Sequence, residues 1–463
     1  MPSVRWVKHA KLNLFALAEA APASALVRAV ALAGEPQAAG TPVEEARTLL
    51  RAAAEIEQQL MVEYLYALYS LAPTAPPNWR TILRTVAREE MGHLLTVQNL
   101  LLLLRADPHL ARMGGVPAAD QPFPLRLEPV STGALAKYVS AESPDPMSLP
   151  PDVRALAQPA YEEAAANGVS VNRVGVLYAK ISWLFQASDS ASGPWAIPTG
   201  LFTPDRHLAE GDFDAASIHR QADPEDWRAG TSPAEGLFAV RSPDRATALG
   251  ALHAVAEQGE GLTPLDPNAT SHFERFLTLY GEARALVANG QPLPTLPVPV
   301  NPTYGEAVLP DAEREAARIE EAVSQAWAEL SDVHYTILLG VIAVSLGIED
   351  TAEGTALRTD LAEHAISGQM KGAVAALGRV LIQRPRKTGT PAQTLAAALP
   401  FSAPAPPISG TTPAWIEWLL EKMGRSDALI AQLGAGNPLS PPLTQIAATN
   451  ANLRALLIRV PVA

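Results

Sequence analysis

The sequence predicts an all-α protein organised round one helical hairpin, and three observations predict it. The stretch from Glu55 to Leu104 reads as two apolar-striped helices separated by the turn Ala72-Pro73-Thr74-Ala75-Pro76-Pro77. No strand-rich region, solenoid-period repeat or glycine-rich phosphate loop interrupts the helical text. Ligand-type side chains fall inside the apolar stripes. Glu57, Met61, Tyr64 and Leu68 stand at i, i+4, i+7 and i+11, and Glu90 and His93 stand three apart in line with Val86 and Val97. An ionised carboxylate on a buried helix face is costly unless a cation or hydrogen bonds compensate it. Facing helices that offer Glu and Glu-x-x-His are half of the inward ligand set of a carboxylate di-metal bundle.

Taken in order, residues 1–42 read as a short helical extension. Thr41, Pro42 and two glutamates then form a helix start, with a cap, proline at the first position and acids in the first turn. The hairpin closes near Met113-Gly114-Gly115-Val116-Pro117. Residues 118–167 are proline-rich and irregular apart from a short helix over 133–140, and connections this long are often functional. A third helix runs from about Asn172 to Gln186 and offers no carboxylate or histidine. A second long insertion, 188–243, carries His207, His219 and Trp227. The fourth helix spans about Asp244 to Glu260, and the fifth starts near Ser271. A proline-rich linker at 292–302 leads to a second hairpin, Asp311 to Gly347 and Thr355 to Gln383. One more helix and a proline-punctuated tail follow.

Composition excludes several classes. A net charge of −13 with no long basic run argues against nucleic acid. With no cysteine, disulfides, thiolate metal sites and iron–sulfur clusters are excluded, so any metal is held by oxygen and nitrogen. The apolar run Leu100 to Leu104 ends at Arg105 and Asp107, too short to span a membrane. The N-terminal segment imitates a signal peptide, but Glu19 and Arg28 interrupt it. It reads as amphipathic, and the expected location is cytoplasmic.

The candidate metal ligands are Glu57, Glu90 and His93 on the first hairpin, with Glu257, Glu260 and His272 for the opposite side. Glu257 and Glu260 are read either as ligands or as an acid pair at a helix end. His272, at the next helix start, is read as the imidazole that the fourth helix lacks. Glu89 is the spare for Glu90. Glu63, about 240° round the helix from Glu57, reads as a solvated or supporting group. His253 reads as packed, His207 and His219 as loop residues, and His334 and His364 lack carboxylates at ligand spacing.

The segments AEIEQQLMVEYLYALYSL, REEMGHLLTVQNLLLLL, and AVAEQGEG followed by SHFERF resemble the ferritin-like domain of iminophenylpyruvate dimer synthases over about residues 43–290. Those enzymes belong to violacein- and rebeccamycin-type bisindole biosynthesis. The resemblance implies a ferritin-like four-helix bundle; with the long loop insertions and the additional C-terminal helical hairpin read from the sequence, the expected division is 1–42, 43–290 and 303–463. The resemblance implies iron, one or two ions, with manganese, zinc or copper as the alternatives. It also implies oxidative transformation or coupling of an aromatic amino-acid-derived small molecule. The expected partners are that substrate and either a second copy of the chain or a pathway enzyme, without membrane or nucleic acid. The family carries a glutamate near Gly-x-Leu-Tyr of the third helix where this chain has Val176. That substitution supports the competing expectation of a scaffold without metal.

Overall fold

The computed structural model describes residues 5–7, 35–111, 126–144, 146, 149–167, 174–187, 197, 202, 206–228, 237, 239–261, 270–305, 316–402, 406–407, 410–435 and 439–461. Helix α1 (Pro42–Ser70) begins with a capping box: the Glu44 amide donates to the Thr41 hydroxyl, and the Thr41 amide donates to the Glu44 carboxylate. Pro42 occupies its first turn, where a missing N–H leaves nothing unsatisfied. Helix α2 (Pro77–Leu103) again starts on proline and stops before Arg105, which turns into the left-handed region at φ 56°. The hairpin they form is buried along almost its whole inner face, from Leu49 to Leu68 and from Leu83 to Leu104.

Around it the connection between 126 and 167 is more regular than its prolines imply. Helix α3 (Thr132–Ala141) is capped by Ser131, and helix α4 (Pro151–Ala166) again uses proline at its start. Helix α5 (Val174–Phe185) is buried throughout. Asp244 caps helix α6 (Arg245–Glu260), and a Ser271–Glu274 capping box starts helix α7 (His272–Ala288). The described part of the N-terminal extension is not helical. Strand β1 (Arg5–Val7) pairs antiparallel with strand β2 (Glu35–Gln37), so the helical reading of residues 1–42 is corrected at these positions. The Gly114-Gly115 stop and residues 8–34 lie outside the described residues.

The proline-rich linker is fastened to the hairpin turn. The Ala72 amide donates to Pro294 at 2.8 Å and the Leu296 amide to Ser70 at 2.7 Å. Beyond it come α8 (Ala322–Ser345), α9 (Ala352–Glu363), a π-helical segment His364–Val374, α10 (Ala375–Leu381) and α11 (Thr412–Leu433). The last, α12 (Pro441–Leu457), is a helix within what reads as a tail. The C-terminal helices share the hairpin's core: Gln58 donates to the Tyr335 hydroxyl at 2.9 Å, and the Tyr66 hydroxyl donates to the Pro299 carbonyl. The 206–228 insertion is tied to α9 by Arg358, which donates to Asp226 at 3.0 Å and to the His219 carbonyl at 2.9 Å. Among the described residues α8 alone has the length and apolarity of a membrane span, and 94% of that window is buried against protein.

Glu63 is neither solvated nor near the centre. It is fully buried and meets Lys137 of α3 at 2.7 Å, while the Arg126 amide donates to its other oxygen at 3.0 Å. Burial holds its carboxyl above the ordinary value despite the neighbouring ammonium.

Candidate metal centre

Helices α1 and α2 bring Glu57, Glu90 and His93 together as their stripes require, and all three are buried. His93 Nδ1 lies 3.0 Å from Glu90 Oε2 and 3.3 Å from Glu57 Oε2. Helix α7 delivers His272 from its first residue, with Nδ1 3.0 Å from the other Glu90 oxygen, Oε1. The same nitrogen is 3.7 Å from Glu142 Oε2, at the residue that ends α3. Two groups result, Glu57–Glu90–His93 and Glu90–Glu142–His272, each with ligand atoms within 4.8 Å of one another. Glu90 belongs to both. Its two oxygens face two histidines whose rings stack at 5.5 Å between centroids.

The surroundings orient these atoms. His93 Nε2 is 2.8 Å from Gln258 Oε1, and His272 Nε2 is 3.1 Å from Glu89, whose carboxylate is also bound by Arg275. Each imidazole therefore has an acceptor behind its Nε2, which orients the ring so that Nδ1 points toward the centre. The two outer carboxylates are matched as well: Tyr178 of α5 donates to Glu57 Oε1, and Tyr64 of α1 donates to Glu142 Oε1. Each leaves its Oε2 facing inward. Glu57 Oε2, Glu90 Oε1 and His272 Nδ1 are buried and make no hydrogen bond of proper geometry among the described residues, whereas Glu90 Oε2 is hydrogen-bonded to His93 Nδ1.

Electrostatics show how tightly the groups are coupled without a cation. Burial pushes the Glu57 carboxyl up to about 8, with the neighbouring Glu90 adding to the rise. Burial alone would also raise Glu90, but the His272 and His93 imidazoles outweigh it and hold that carboxyl below its ordinary range. Burial disfavours a charged His93 ring, yet Glu57 and Glu90 raise it to about 10, and Glu90 with Glu142 and Glu89 raise His272 likewise. Protons thus hold the place that a metal would take on binding, with release of those protons. Buried, convergent oxygen and imidazole atoms, three of them without directed hydrogen bonds, fit a metal of the oxygen–nitrogen class.

Of the expected set, the structure gathers Glu57, Glu90, His93 and His272. Glu257 and Glu260 stand outside both groups. Glu257 Oε1 is 4.0 Å from His253 Nε2. Glu260 accepts from the Gly175 amide at 2.6 Å through Oε1 and also lines the cavity of the centre, beside Glu57, Glu90, His93 and Glu142. A Cβ on Gly175 would meet the Glu260 carboxylate, which would have to shift to make room for it. Val176 is packed in the core. The third carboxylate comes instead from Glu142, which sequence reasoning missed. The signal was present: Leu135, Tyr138 and Glu142 stand at i, i+3 and i+7 on one buried face. Glu89 faces His272 rather than His93. The space enclosed by the centre is about 20 Å³, room for one water-sized molecule.

Fold and centre together define the class: a helical bundle with a buried carboxylate–histidine centre suited to metal. A ferritin-like family profile matches residues 50–281, half of the chain, and the chain belongs to the ferritin-like family, which typically binds metal. It is similar to dichlorochromopyrrolate synthase of Lentzea aerocolonigenes, 26% identical over 305 residues, covering 57% of this chain and 28% of that protein. It is also similar to the 2-imino-3-(indol-3-yl)propanoate dimerase of Chromobacterium violaceum, 26% identical over 439 residues, covering 86% of this chain and 38% of that protein. The chain thus spans well under half the length of either relative. No solved structure matches.

Proposed function

We propose that this chain binds iron, as one ion or a pair, and performs an oxidative transformation or coupling of an aromatic amino-acid-derived small molecule. The observation that carries the reading is Glu90, one buried carboxylate whose two oxygens each face the Nδ1 of a different histidine. Glu57, Glu90 and His93 would hold one ion; Glu90, Glu142 and His272 would hold the other. When bound, iron supplies oxygen activation or Lewis acidity at the centre. Manganese, zinc and copper share the ligand chemistry and are distinguished by metal analysis.

The chain's own residues do the rest. Tyr178 and Tyr64 fix the outer carboxylates, while Gln258 and Glu89 fix the imidazoles. The cavity lined by Val174, Val255 and Ala256 beside the ligand residues is only about 20 Å³ and limits the centre to water-sized species. A larger substrate must therefore react at its edge or after α5 and α6 part. The similarity to the 2-imino-3-(indol-3-yl)propanoate dimerase supports indole-type imino acids as the substrate class. Joining two such molecules forms one carbon–carbon bond and removes two electrons and two protons, which dioxygen or peroxide accepts.

The scaffold alternative rested on Val176, and Glu142 offers the carboxylate that position lacks. The test is to load the purified chain anaerobically with iron(II) and supply an aromatic amino acid, an amino-acid oxidase and oxygen. Formation of a dimeric product by mass spectrometry, lost in Glu57→Ala and Glu90→Ala, is expected. Retention of no transition metal by the wild-type chain would return the reading to a scaffold.

A further inference from the structure

Away from the centre, one face of α2 carries Arg80, Arg84 and Arg88 at i, i+4 and i+8, a spacing at which like charges destabilise the helix that bears them. Across from them stand Lys371, on the π-helical segment, and Arg379 of α10. These five cations rim a cavity of about 540 Å³ between the first hairpin and the C-terminal helices, within the range of about 300–1,000 Å³ that small-molecule sites occupy. No carboxylate lines it, although acids outnumber bases in the chain by 48 to 35.

Arg80 donates to the Leu71 and Ala72 carbonyls. Arg84, Arg88, Lys371 and Arg379 pair with no carboxylate among the described residues. The floor is apolar and soft, built by Met61, Leu65, Leu338, Met370 and Phe401, with Tyr69 and Tyr335 beside them. Thioethers and aromatic rings favour a flat aromatic body, and guanidinium groups both stack on such a body and bind its carboxylates in a fork. A second observation points to the same place. Residues His364–Val374 are π-helical over 11 residues, and this segment carries Met370 and Lys371 into the cavity wall. Such segments are rare and concentrate at functional sites.

We infer that this cleft is a binding site, separate from the metal centre, for an aromatic carboxylate: a flat apolar body on the methionine and phenylalanine floor, with its anionic groups toward Arg84, Arg88, Lys371 and Arg379. The inference goes beyond the oxidative reading and stands whether or not the centre holds iron.

The experiment is isothermal titration of the full chain with naphthalene-2,6-dicarboxylate and with its uncharged diamide. The dicarboxylate is expected to bind once per chain, about tenfold or more tighter than the diamide, and to weaken between about 50 and 500 mM sodium chloride. Arg84→Glu with Lys371→Glu, both at exposed positions, is expected to lower the affinity at least about tenfold while melting temperature and bound metal stay unchanged. Arg379→Glu alone, a third exposed position, gives a smaller loss and serves if the double variant misfolds. Equal binding of acid and diamide, unchanged affinity in the charge-reversed chains, or no heat at millimolar ligand would overturn the inference. Tighter binding of poly-aspartate than of the aromatic acid would also overturn it, in favour of an acidic peptide.

Discussion

Replacing Glu142 by glutamine and by alanine separates what this carboxylate does for folding from what it does for a metal. Glutamine keeps an oxygen for the Tyr64 hydroxyl but removes the charge that faces His272 Nδ1 at 3.7 Å. At an effective dielectric constant of about 20, one unit charge about 4 Å from another is worth roughly 4 kcal/mol. The amide oxygen still coordinates weakly and recovers part of this. A net loss of roughly 3 kcal/mol, about a hundredfold in affinity, is therefore expected for the ion on the His272 side. The ion held by Glu57, Glu90 and His93 should be affected far less. Glu142→Ala also leaves the buried Tyr64 hydroxyl without its acceptor, which costs about 1–3 kcal/mol of metal-free stability. Equilibrium dialysis against iron(II) under anaerobic conditions, with thermal melts of the metal-free chains, reads both effects. If the glutamine variant held two ions at wild-type affinity, the assignment of Glu142 to the centre would be wrong.

Three further outcomes follow from the packing. Gly175→Ala places a methyl 2.2 Å from Glu260 Oε2 and displaces the carboxylate that accepts from the residue-175 amide. It should destabilise the chain by about 1–3 kcal/mol in a denaturant titration, with partial rescue by Glu260→Ala. Lys137→Met leaves Glu63 buried without its ammonium and should cost about 3–5 kcal/mol, of which a second change, Glu63→Gln, recovers a large part. His334, between Gln369 and Ser426, is held down to about 4 by burial, and burial and His334 hold His364 down to about 4. Both depressed values lie below the unfolded value of about 6.5. Their contribution is therefore fully present above pH about 6.5 and is lost as pH falls toward 4, by about 3 kcal/mol for His334. Chemical denaturation at neutral and mildly acid pH should show that slope flattened in His334→Gln.

The hairpin was legible because burial and helical period write themselves into one stripe. Glu57, Glu90 and His93 sit among apolar residues at fixed offsets, and their placement needs only the 3.6-residue turn. His272 was legible for a different reason, being a histidine in the first turn of a helix with a recognisable serine cap. Glu142 escaped because it follows a helix of only ten residues in a stretch crowded with prolines, where a single turn of periodicity carries little weight. Glu257 satisfied the spacing rule yet lies beside His253, and Glu260 reaches the wall of the centre's cavity while accepting from Gly175, because the rotation of α6 is set by long-range packing that spacing does not encode. The same limit applies to Glu63. Its angular distance from Glu57 sets it on another face of α1, but only the fold reveals Lys137 beside it in the core.

The most direct test is an anomalous-scattering map of crystals loaded anaerobically with iron(II). Two peaks inside the bundle are predicted, one bounded by Glu57, Glu90 and His93 and the other by Glu90, Glu142 and His272. A bundle interior without any peak, or metal confined to Glu257 and Glu260, would contradict the account.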